Sequence, residues 1–398
     1  MIRLLLLVTT AILAASLFFS DTLNRAYVFL TIDNQAKLQQ RLSEFHLIFA
    51  SRPVQVGKTI DNKLADRQIE LPESFTWADQ QLNTAQYLTA THTDGIMVLL
   101  DGEVVHQAYF GSFTPTSQHI SWSLSKSIVS LLFGQAEQQG FIQRQDTVSQ
   151  WLPELADSAY SDVTMLELLQ MSSGIHFSED YSDPNSDINR LGKTIVLEGS
   201  IIEFLQAFER SRERSRGEYQ YVSADTQVLA MAIVQATGRT LTELTQDWLW
   251  QPLGMQSSGY WLVDRYGYEL GFGGFNATLA DYARLVDLVG NQGRWHGKQI
   301  VPAQYIEDIS TLVAKDPNNE LLPGWRYGLH WWLPESGGVL GIGVYNQFIY
   351  SNRITCDNGE SKRLSIAKLS SDGAYAPKQQ QDFQFHVALF EQIAVHVC

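Results

Sequence analysis

The sequence is poor in the residues that support metal or thiol chemistry. It has only two cysteines among 398 residues, Cys356 and Cys398, and they form neither a metal-ligand cluster nor a Cys-x-x-Cys redox pair. Its nine histidines show no His-x-x-x-His or His-x-His spacing, which disfavours a zinc hydrolase. A Gly-x-Ser-x-Gly elbow is also missing, which disfavours a triad hydrolase of the α/β type. We therefore predict a protein without a metal or another cofactor.

Basic residues are scarce as well. The chain has 28 Lys and Arg against 43 Asp and Glu, which gives a formal net charge of -15. Because binding to a phosphate backbone needs clustered Lys and Arg, we predict no nucleic-acid partner. The hydrophobic content of 44% allows one large core or two smaller ones, so global disorder is excluded.

An apolar run occupies the N-terminus. Residues 4–19 are largely apolar, follow Arg3 and lack an amphipathic period, which indicates export. The run is longer than most signal-peptide cores and shorter than the roughly 20 residues that a bilayer span prefers. A cleaved signal peptide and an N-terminal membrane anchor over residues 1–21 therefore both remain open. We expect a periplasmic protein, or one anchored in the membrane and facing the periplasm.

The two cysteines also leave two possibilities. In an oxidising compartment Cys356 and Cys398 are able to pair and tie the C-terminus to the last hairpin, whereas two free thiols are equally compatible with the sequence. The oligomeric state has no signature in the sequence.

The chain divides into a lead segment, 22–90, and a main domain, 91–398. A hairpin is predicted from residues 95–100 and 103–109 around Asp101-Gly102. Apolar repeats near period 3.6 predict helices at 82–90, 125–139, 165–171, 224–237, 241–250, 279–288 and 380–397. Strands are predicted at 327–333, 344–351 and 363–370. The fold class is therefore α+β, with the hairpin joining the C-terminal strands in one antiparallel sheet and a mostly helical insertion at about 121–325.

Ser123 and Lys126 form a Ser-x-x-Lys motif at the start of an apolar helix. Three residues along a helix bring the two side chains onto one face. A serine hydroxyl is a poor nucleophile until a base takes its proton, and a lysine serves as that base when burial lowers its pKa. Ser125 and Ser127 lack a lysine three positions later. The spacing therefore selects Ser123 as the candidate nucleophile and Lys126 as its base.

Two further segments are candidates for the same site. Tyr221 and Ser223 make a Tyr-x-Ser pattern just before a predicted helix, and a tyrosine near a lysine is able to relay a proton to a leaving group. The segment GIGVYNQFIY (341–350) carries glycines at the entry to a strand, where a ligand approaches the backbone closely. The N–H of Val344 is then a candidate to hold an oxyanion together with that of Ser123. A packed aromatic residue and a β-bulge are the structural alternatives for these two segments.

Taken in order, these motifs resemble the serine β-lactamase-like superfamily, which includes class C β-lactamases, penicillin-binding proteins, D-stereospecific peptidases and carboxylesterases. The pattern is most similar to that of the 6-aminohexanoate-dimer hydrolases. The segments that carry the resemblance are ISWSLSKS (120–127), LLQMSSGI (168–175), YVSADT (221–226), GFNATLADYAR (274–284) and GVYNQ (343–347). The resemblance extends from about residue 90 to the C-terminus.

The resemblance implies a serine hydrolase that cleaves a small ester, amide or peptide-like substrate. It implies Ser123 as acylated nucleophile, Lys126 as general base, Tyr221 as proton relay, and the N–H groups of Ser123 and Val344 as oxyanion hole. The expected substrate-contacting residues are Tyr181, Ser223, Gly343 and Tyr345.

The sequence departs from the family pattern in three places. Lys-Thr-Gly is absent before the strand that carries Gln347, and Ser223 replaces the Asn of Tyr-x-Asn, so β-lactam preference is not expected. Asn346 stands where relatives usually have Gly, which predicts a narrower cleft or an altered oxyanion strand. The alternative function is a catalytically silent protein of this fold that binds or senses cell-wall peptides or penicillin.

Overall fold

The computed structural model describes residues 21–398 except 62, 64, 66, 212–214 and 319. The predicted signal or anchor segment therefore lies almost wholly outside the described residues. Helices in this part are α1 (residues 21–30), α2 (Gln35–Ile48), α3 (Thr84–Ala90), α4 (Ser125–Gln138), α5 (Val148–Trp151), α6 (Met165–Leu169), α7 (Asp187–Val196), α8 (Ile201–Gln206), α9 (Ser223–Thr237), α10 (Leu241–Thr245), α11 (Gln251–Leu253), α12 (Leu279–Gly290), α13 (Ala303–Thr311) and α14 (Gln379–Val397).

Strands are β1 (Ser51–Val54), β2 (Ser74–Trp77), β3 (Gln80–Asn83), β4 (Thr93–Leu100), β5 (Glu103–Tyr109), β6 (His119–Ile120), β7 (Gly259–Leu262), β8 (Phe275–Ala277), β9 (Arg294–Trp295), β10 (Lys298–Gln299), β11 (Arg326–Gly328), β12 (Trp331–Leu333), β13 (Val339–Gly343), β14 (Gln347–Thr355) and β15 (Ser361–Ser370).

The main sheet has seven antiparallel strands in the order β11-β12-β13-β14-β15-β4-β5. The N-terminal hairpin β4–β5 joins the C-terminal strands through β15, with Leu364 opposite Leu100 and Lys368 opposite Ile96. The predicted α+β fold and the joining of the hairpin to the C-terminal strands are thus confirmed.

Side chains of β4 alternate between the two faces of this sheet. Ile96 and Val98 belong to a hydrophobic cluster with α14, whereas Met97 and Leu99 belong to the larger cluster that includes α4 and α12. This alternation is the period of two that a strand covered on both faces requires. The turn that precedes α4 lies against β13 and β14 of this sheet.

A second sheet has four strands in the order β1-β7-β8-β6, and three of them, β6, β7 and β8, lie in the sequence between β5 and β11. Its β1 strand comes from the lead segment and pairs with β7 over the register Ser51 to Leu262. Helix α2 precedes β1, and Leu38 and Leu42 of α2 are fully buried. The N-terminal helices therefore pack on the inserted region, next to β6 and the turn that follows it.

Two predicted strands have other bounds than the sequence pattern indicated. Residues 327–333 form β11 and β12 with a turn at Leu329 and His330, whose φ angles are 45° and 66°. The predicted strand at 344–351 begins only at Gln347, because Tyr345 and Asn346 have φ angles of 65° and 66°. A non-glycine residue at such an angle cannot continue a strand, so both segments turn instead.

Cys356 and Cys398 form a disulfide that links the end of β14 to the last residue of the chain. The sequence left this pairing open, and the fold decides it by laying α14 along the main sheet. In the residues that the structure describes, no helix is both long enough and apolar enough to cross a bilayer.

Candidate active site

Ser123 lies in a single 3-10 turn, Trp122–Leu124, immediately before α4. Trp122 has a φ angle of 49°, which bends the chain sharply between β6 and the helix. Helix α4 is buried nearly all round, with Ile128, Val129 and Leu132 at most 1% exposed. The turn thus places a partly exposed serine at the end of a helix that the core holds in position.

Lys126 contacts Ser123 directly. Its Nζ donates to Ser123 Oγ at 2.8 Å and to the Phe272 carbonyl oxygen at 2.7 Å. The side chain is 1% exposed, and burial lowers the pKa of Lys126 to about 7, while the Glu179 carboxylate acts in the opposite direction. A lysine with this pKa is neutral in a large fraction of molecules near pH 7 and is then able to accept a proton.

The two neighbouring serines are committed elsewhere. Ser125 is fully buried and its Oγ accepts from the Phe275 N–H at 3.0 Å. The Ser127 hydroxyl donates to the His330 carbonyl at 2.9 Å. Of the three, Ser123 alone borders the cavity described below, so the structure separates the hydroxyls in the same way as the Ser-x-x-Lys spacing does.

Tyr221 lies on the other side of the lysine. Lys126 Nζ is 5.2 Å from the centre of the Tyr221 ring, and this ring stacks on Trp332 with centroids 5.6 Å apart. Burial and the Glu179 charge raise the pKa of Tyr221, and a hydrogen bond with Ser123 partly offsets the rise. The tyrosine therefore stays protonated and lies within reach of both Ser123 and Lys126.

Glu179 is an acidic group of the site that no sequence motif indicated. Its Oε1 accepts from the N–H of Ser223 at 2.6 Å. Burial raises the pKa of Glu179, whereas Lys126 and hydrogen bonding from Ser223 and Tyr181 lower it. The residue lies two positions before Tyr181 in the segment EDYSDP (179–184), but nothing in the spacing indicated that its charge would act on the pKa of Lys126.

The turn between β13 and β14 brings Val344 to the same place. Gly343 lies against Ser121, where a Cβ would come within 2.2 Å of the Ser121 carbonyl oxygen, so only glycine allows this approach. The Gln347 side chain donates to the carbonyls of Val344 and Tyr345 at 3.2 and 3.1 Å. Ser123 and Val344 both border one cavity.

Of the two expectations for Asn346, a narrower cleft or an altered oxyanion strand, the structure does not support the first, because Asn346 is not among the residues that border the cavity described below. It is 1% exposed, and its Nδ2 donates to Asp372 and Asp382, each at 3.1 Å. Asn346 has a left-handed φ of 66°, a region that asparagine tolerates better than most residues. Through these two hydrogen bonds the Asn346 side chain fixes the turn to Asp372 and Asp382.

The cavity beside Ser123 has a volume of about 160 Å³. Of the residues expected to contact substrate, Tyr181, Ser223 and Tyr345 border it, whereas Gly343 supports the turn next to it. The N-terminal helices supply another wall, to which Phe29 and Phe45 contribute. The sequence had shown no chemical role for the lead segment, because only the tertiary fold brings it to the site.

The N-terminal wall is fixed by several polar contacts. The Tyr345 hydroxyl donates to Asp33 at 2.9 Å, and Gln35 Nε2 donates to the Ser371 carbonyl at 2.6 Å. Phe45 also meets the Trp122 ring edge-on, with centroids 5.2 Å apart. Within the described ranges, no group of three or more His, Cys, Asp or Glu is arranged to hold a metal ion.

Comparison with known proteins adds a family to this geometry. Residues 82–388 match the family model described as Beta-lactamase. The 6-aminohexanoate-dimer hydrolase of Paenarthrobacter ureafaciens is 29% identical over 279 residues, which are 67% of this chain and 71% of that protein.

Solved structures show the same fold. A Bacillus anthracis protein described as a 6-aminohexanoate-dimer hydrolase superposes with a TM-score of 0.74 at 20% identity, covering 90% of this chain and 95% of its own. EstCE1, a hydrolase with promiscuous acyltransferase activity, superposes with a TM-score of 0.61 at 17% identity and covers 77% and 96%.

Proposed function

Because this chain belongs to the beta-lactamase family of serine hydrolases, we propose that it cleaves an ester or amide bond through an acyl-enzyme on Ser123. The observation that carries the proposal is the 2.8 Å contact between Lys126 Nζ and Ser123 Oγ. It joins a nucleophile at the edge of a cavity to a base whose pKa is lowered to about 7 by burial. An amide substrate is supported further by the name of the Paenarthrobacter relative.

In the proposed reaction, neutral Lys126 takes the Ser123 proton as Oγ attacks the substrate carbonyl. The N–H groups of Ser123 and Val344 receive the oxyanion of the tetrahedral intermediate. Tyr221 passes the proton from the lysine to the leaving alcohol or amine, whose bond to the carbonyl carbon then breaks. Water attacks the acyl-enzyme by the reverse proton route and releases the acid.

Export is part of the proposal. The apolar run at 4–19 supports transfer out of the cytoplasm, and the Cys356–Cys398 disulfide supports residence in an oxidising compartment. The acidic net charge of -15 supports a small-molecule substrate over a polyanion.

Labelling with a fluorophosphonate probe tests the function. We expect the wild-type protein to be labelled, Ser123→Ala to be unlabelled, and Ser127→Ala to keep the label, because the Ser127 hydroxyl donates to the His330 carbonyl and does not border the cavity. Labelling that persists in Ser123→Ala would overturn the proposal.

Turnover separates the proposal from the silent-sensor alternative. Purified protein is incubated with short-chain esters, linear amide oligomers, D-amino-acid amides and a chromogenic cephalosporin. Steady product release that requires Ser123 supports the enzyme. A stable acyl adduct with penicillin and no turnover of any substrate would indicate the sensor instead.

A further inference from the structure

The cavity beside Ser123 is apolar on most of its surface. Eleven of its wall residues carry only hydrocarbon side chains, among them Phe29, Ile32, Phe45, Phe49, Ile195 and Val196. No Asp, Glu, Lys, Arg or His borders it among the residues that the structure describes. A ligand that fills this space therefore exchanges water for hydrocarbon contact.

Some polar groups at the cavity are engaged by the protein, whereas the buried Trp122 Nε1, next to Ser123, has no hydrogen-bond partner among the described residues. Asn189 Nδ2 donates to the carbonyls of Tyr181 and Asp183 at 3.1 and 2.8 Å. The Tyr345 hydroxyl is taken by Asp33. Away from the Ser123 end, these groups hold the loops that form the walls and offer little to a charged ligand.

The position of the cavity relative to the proposed proton path indicates which part of the substrate the cavity binds. Ser123 and Val344, the proposed oxyanion donors, border it, whereas Tyr221, the proposed donor to the leaving group, is not among its wall residues. A substrate carbonyl at Ser123 would thus direct its leaving group toward Tyr221 and its acyl chain into the cavity.

We propose that this cavity binds the uncharged aliphatic acyl chain of the substrate, with a length of about six carbons. The inference rests on the proposed function, since it assigns the substrate class of the same nucleophile. The length follows from the volume of about 160 Å³, because an apolar protein cavity of about 150 Å³ accommodates benzene. The absence of a charge from the described walls selects against a chain that ends in an ammonium or a carboxylate.

A chain-length series of p-nitrophenyl esters tests the inference. We expect kcat/KM to rise about threefold per methylene from acetate to hexanoate, as buried hydrocarbon accumulates, and to stop rising once the acyl chain is longer than about six carbons and exceeds the cavity. A flat profile or a steady fall from acetate would overturn it. Varying the alcohol at constant acyl group should change kcat/KM far less, and a stronger dependence on the alcohol would assign the cavity to the leaving group.

A matched pair of substrates tests the charge selection. Heptanoate and 6-aminohexanoate esters have acyl groups of equal length, but the second ends in an ammonium. We expect kcat/KM to be at least about 100-fold higher for the heptanoate ester at pH 8, because the cavity leaves the ammonium without a partner. Equal rates, or a preference for the amino ester, would contradict the proposal.

Two wall variants and one control locate the effect. Ile195→Trp reduces the cavity and should lower the ratio of hexanoate to acetate kcat/KM at least tenfold, whereas Phe29→Ala enlarges it and should move the optimum to longer chains. Leu197 lies two residues after Ile195 but is 65% exposed, so Leu197→Trp should leave the ratio unchanged. The ratio staying constant in both wall variants would contradict the assignment.

The outcome remains separable from that of the proposed function. If ester hydrolysis survives Ser123→Ala, the proposed function itself fails. If hydrolysis requires Ser123 but is indifferent to acyl length and charge, the catalytic proposal stands and only the acyl-chain assignment is overturned.

Discussion

The Tyr345 hydroxyl donates a hydrogen bond to the Asp33 carboxylate at 2.9 Å across 312 positions of sequence. This contact joins the turn between α1 and α2 to the turn between β13 and β14. Tyr345 itself has a left-handed φ of 65°, so the contact helps to hold an unfavourable backbone conformation next to Val344. The N-terminal helices thus support the proposed oxyanion site as well as the cavity wall.

Removing this hydroxyl should loosen the turn. We expect Tyr345→Phe to lower the free energy of unfolding by about 1 kcal/mol and kcat by about tenfold, since a small displacement of Val344 misaligns the oxyanion donor. Tyr350→Phe is the control, because its hydroxyl contacts Gly337 at the other end of the hairpin, at 3.4 Å. Similar kcat values for the two variants would refute the positioning role.

The activity should depend on pH through Lys126. Its pKa of about 7 predicts that kcat/KM rises from pH 6 to pH 8, because only the neutral amine accepts the Ser123 proton. Glu179 raises this pKa, so Glu179→Gln should shift the acid limb to lower pH. Asp180→Asn removes the adjacent exposed carboxylate and should leave the limb in place. A shift toward higher pH in Glu179→Gln would show that the sign is wrong.

We also expect the buried Lys126 to lower the free energy of unfolding. Its pKa is about 7 in the folded protein against an ordinary 10.5, so the unfolded chain binds more protons between these pH values and stability rises with pH across that window. We expect Lys126→Met to be inactive but more stable than wild type at pH 6.5 by about 1–3 kcal/mol, after allowance for the lost hydrogen bonds. Denaturant unfolding at pH 6.5 and 9.5 checks this, and a gap that widens at the higher pH would contradict it.

Tyr221→Phe should separate chemistry from binding. The variant keeps the ring that stacks on Trp332 and loses the hydroxyl that would relay the proton. We expect kcat to fall about 10²-fold with little change in KM. Tyr219→Phe, in the same segment, is the control. A change confined to KM would assign Tyr221 to substrate binding.

The disulfide should stabilise the fold without affecting catalysis. It closes a segment with a sequence separation of 42, so its loss should lower the free energy of unfolding by about 3–4 kcal/mol. The double variant Cys356→Ser with Cys398→Ser should keep its kcat/KM below the unfolding transition, because β14 separates the bond from the turn at Val344. Loss of activity in fully folded protein would contradict this.

The sequence pattern predicted the part of the site whose residues are close together in the sequence. Ser123 and Lys126 are three residues apart at the start of one helix, and helical geometry brings them together whatever surrounds them. Tertiary packing alone brings the Phe272 carbonyl to Lys126 and places Glu179 where its charge acts on the pKa of Lys126, and no sequence spacing encodes that. The position of Phe29 in the cavity wall also depends on tertiary packing, so the sequence did not indicate it.

The wrongly predicted strand bounds have a different cause. Tyr345 and Asn346 continue an apolar strand-like pattern, but they adopt left-handed angles because tertiary contacts with Asp33, Asp372 and Asp382 outweigh the local preference. In the main sheet, by contrast, the alternation in β4 agreed with the two faces that the fold covers. The sequence pattern and the structure therefore differ at the turn of Tyr345 and Asn346, whose conformation depends on side chains from distant parts of the chain.

The pairing of β4 with β15 governs when the enzyme becomes competent. Leu100 pairs with Leu364 in this register. A nascent chain therefore cannot complete the central sheet until nearly the whole chain has been synthesised. Pairing over such a distance is slow. Ser123, the proposed nucleophile, is synthesised within the first third of the chain, whereas the turn that carries Val344 is synthesised near the end. A polypeptide interrupted between them would carry the serine without the turn that completes the proposed site.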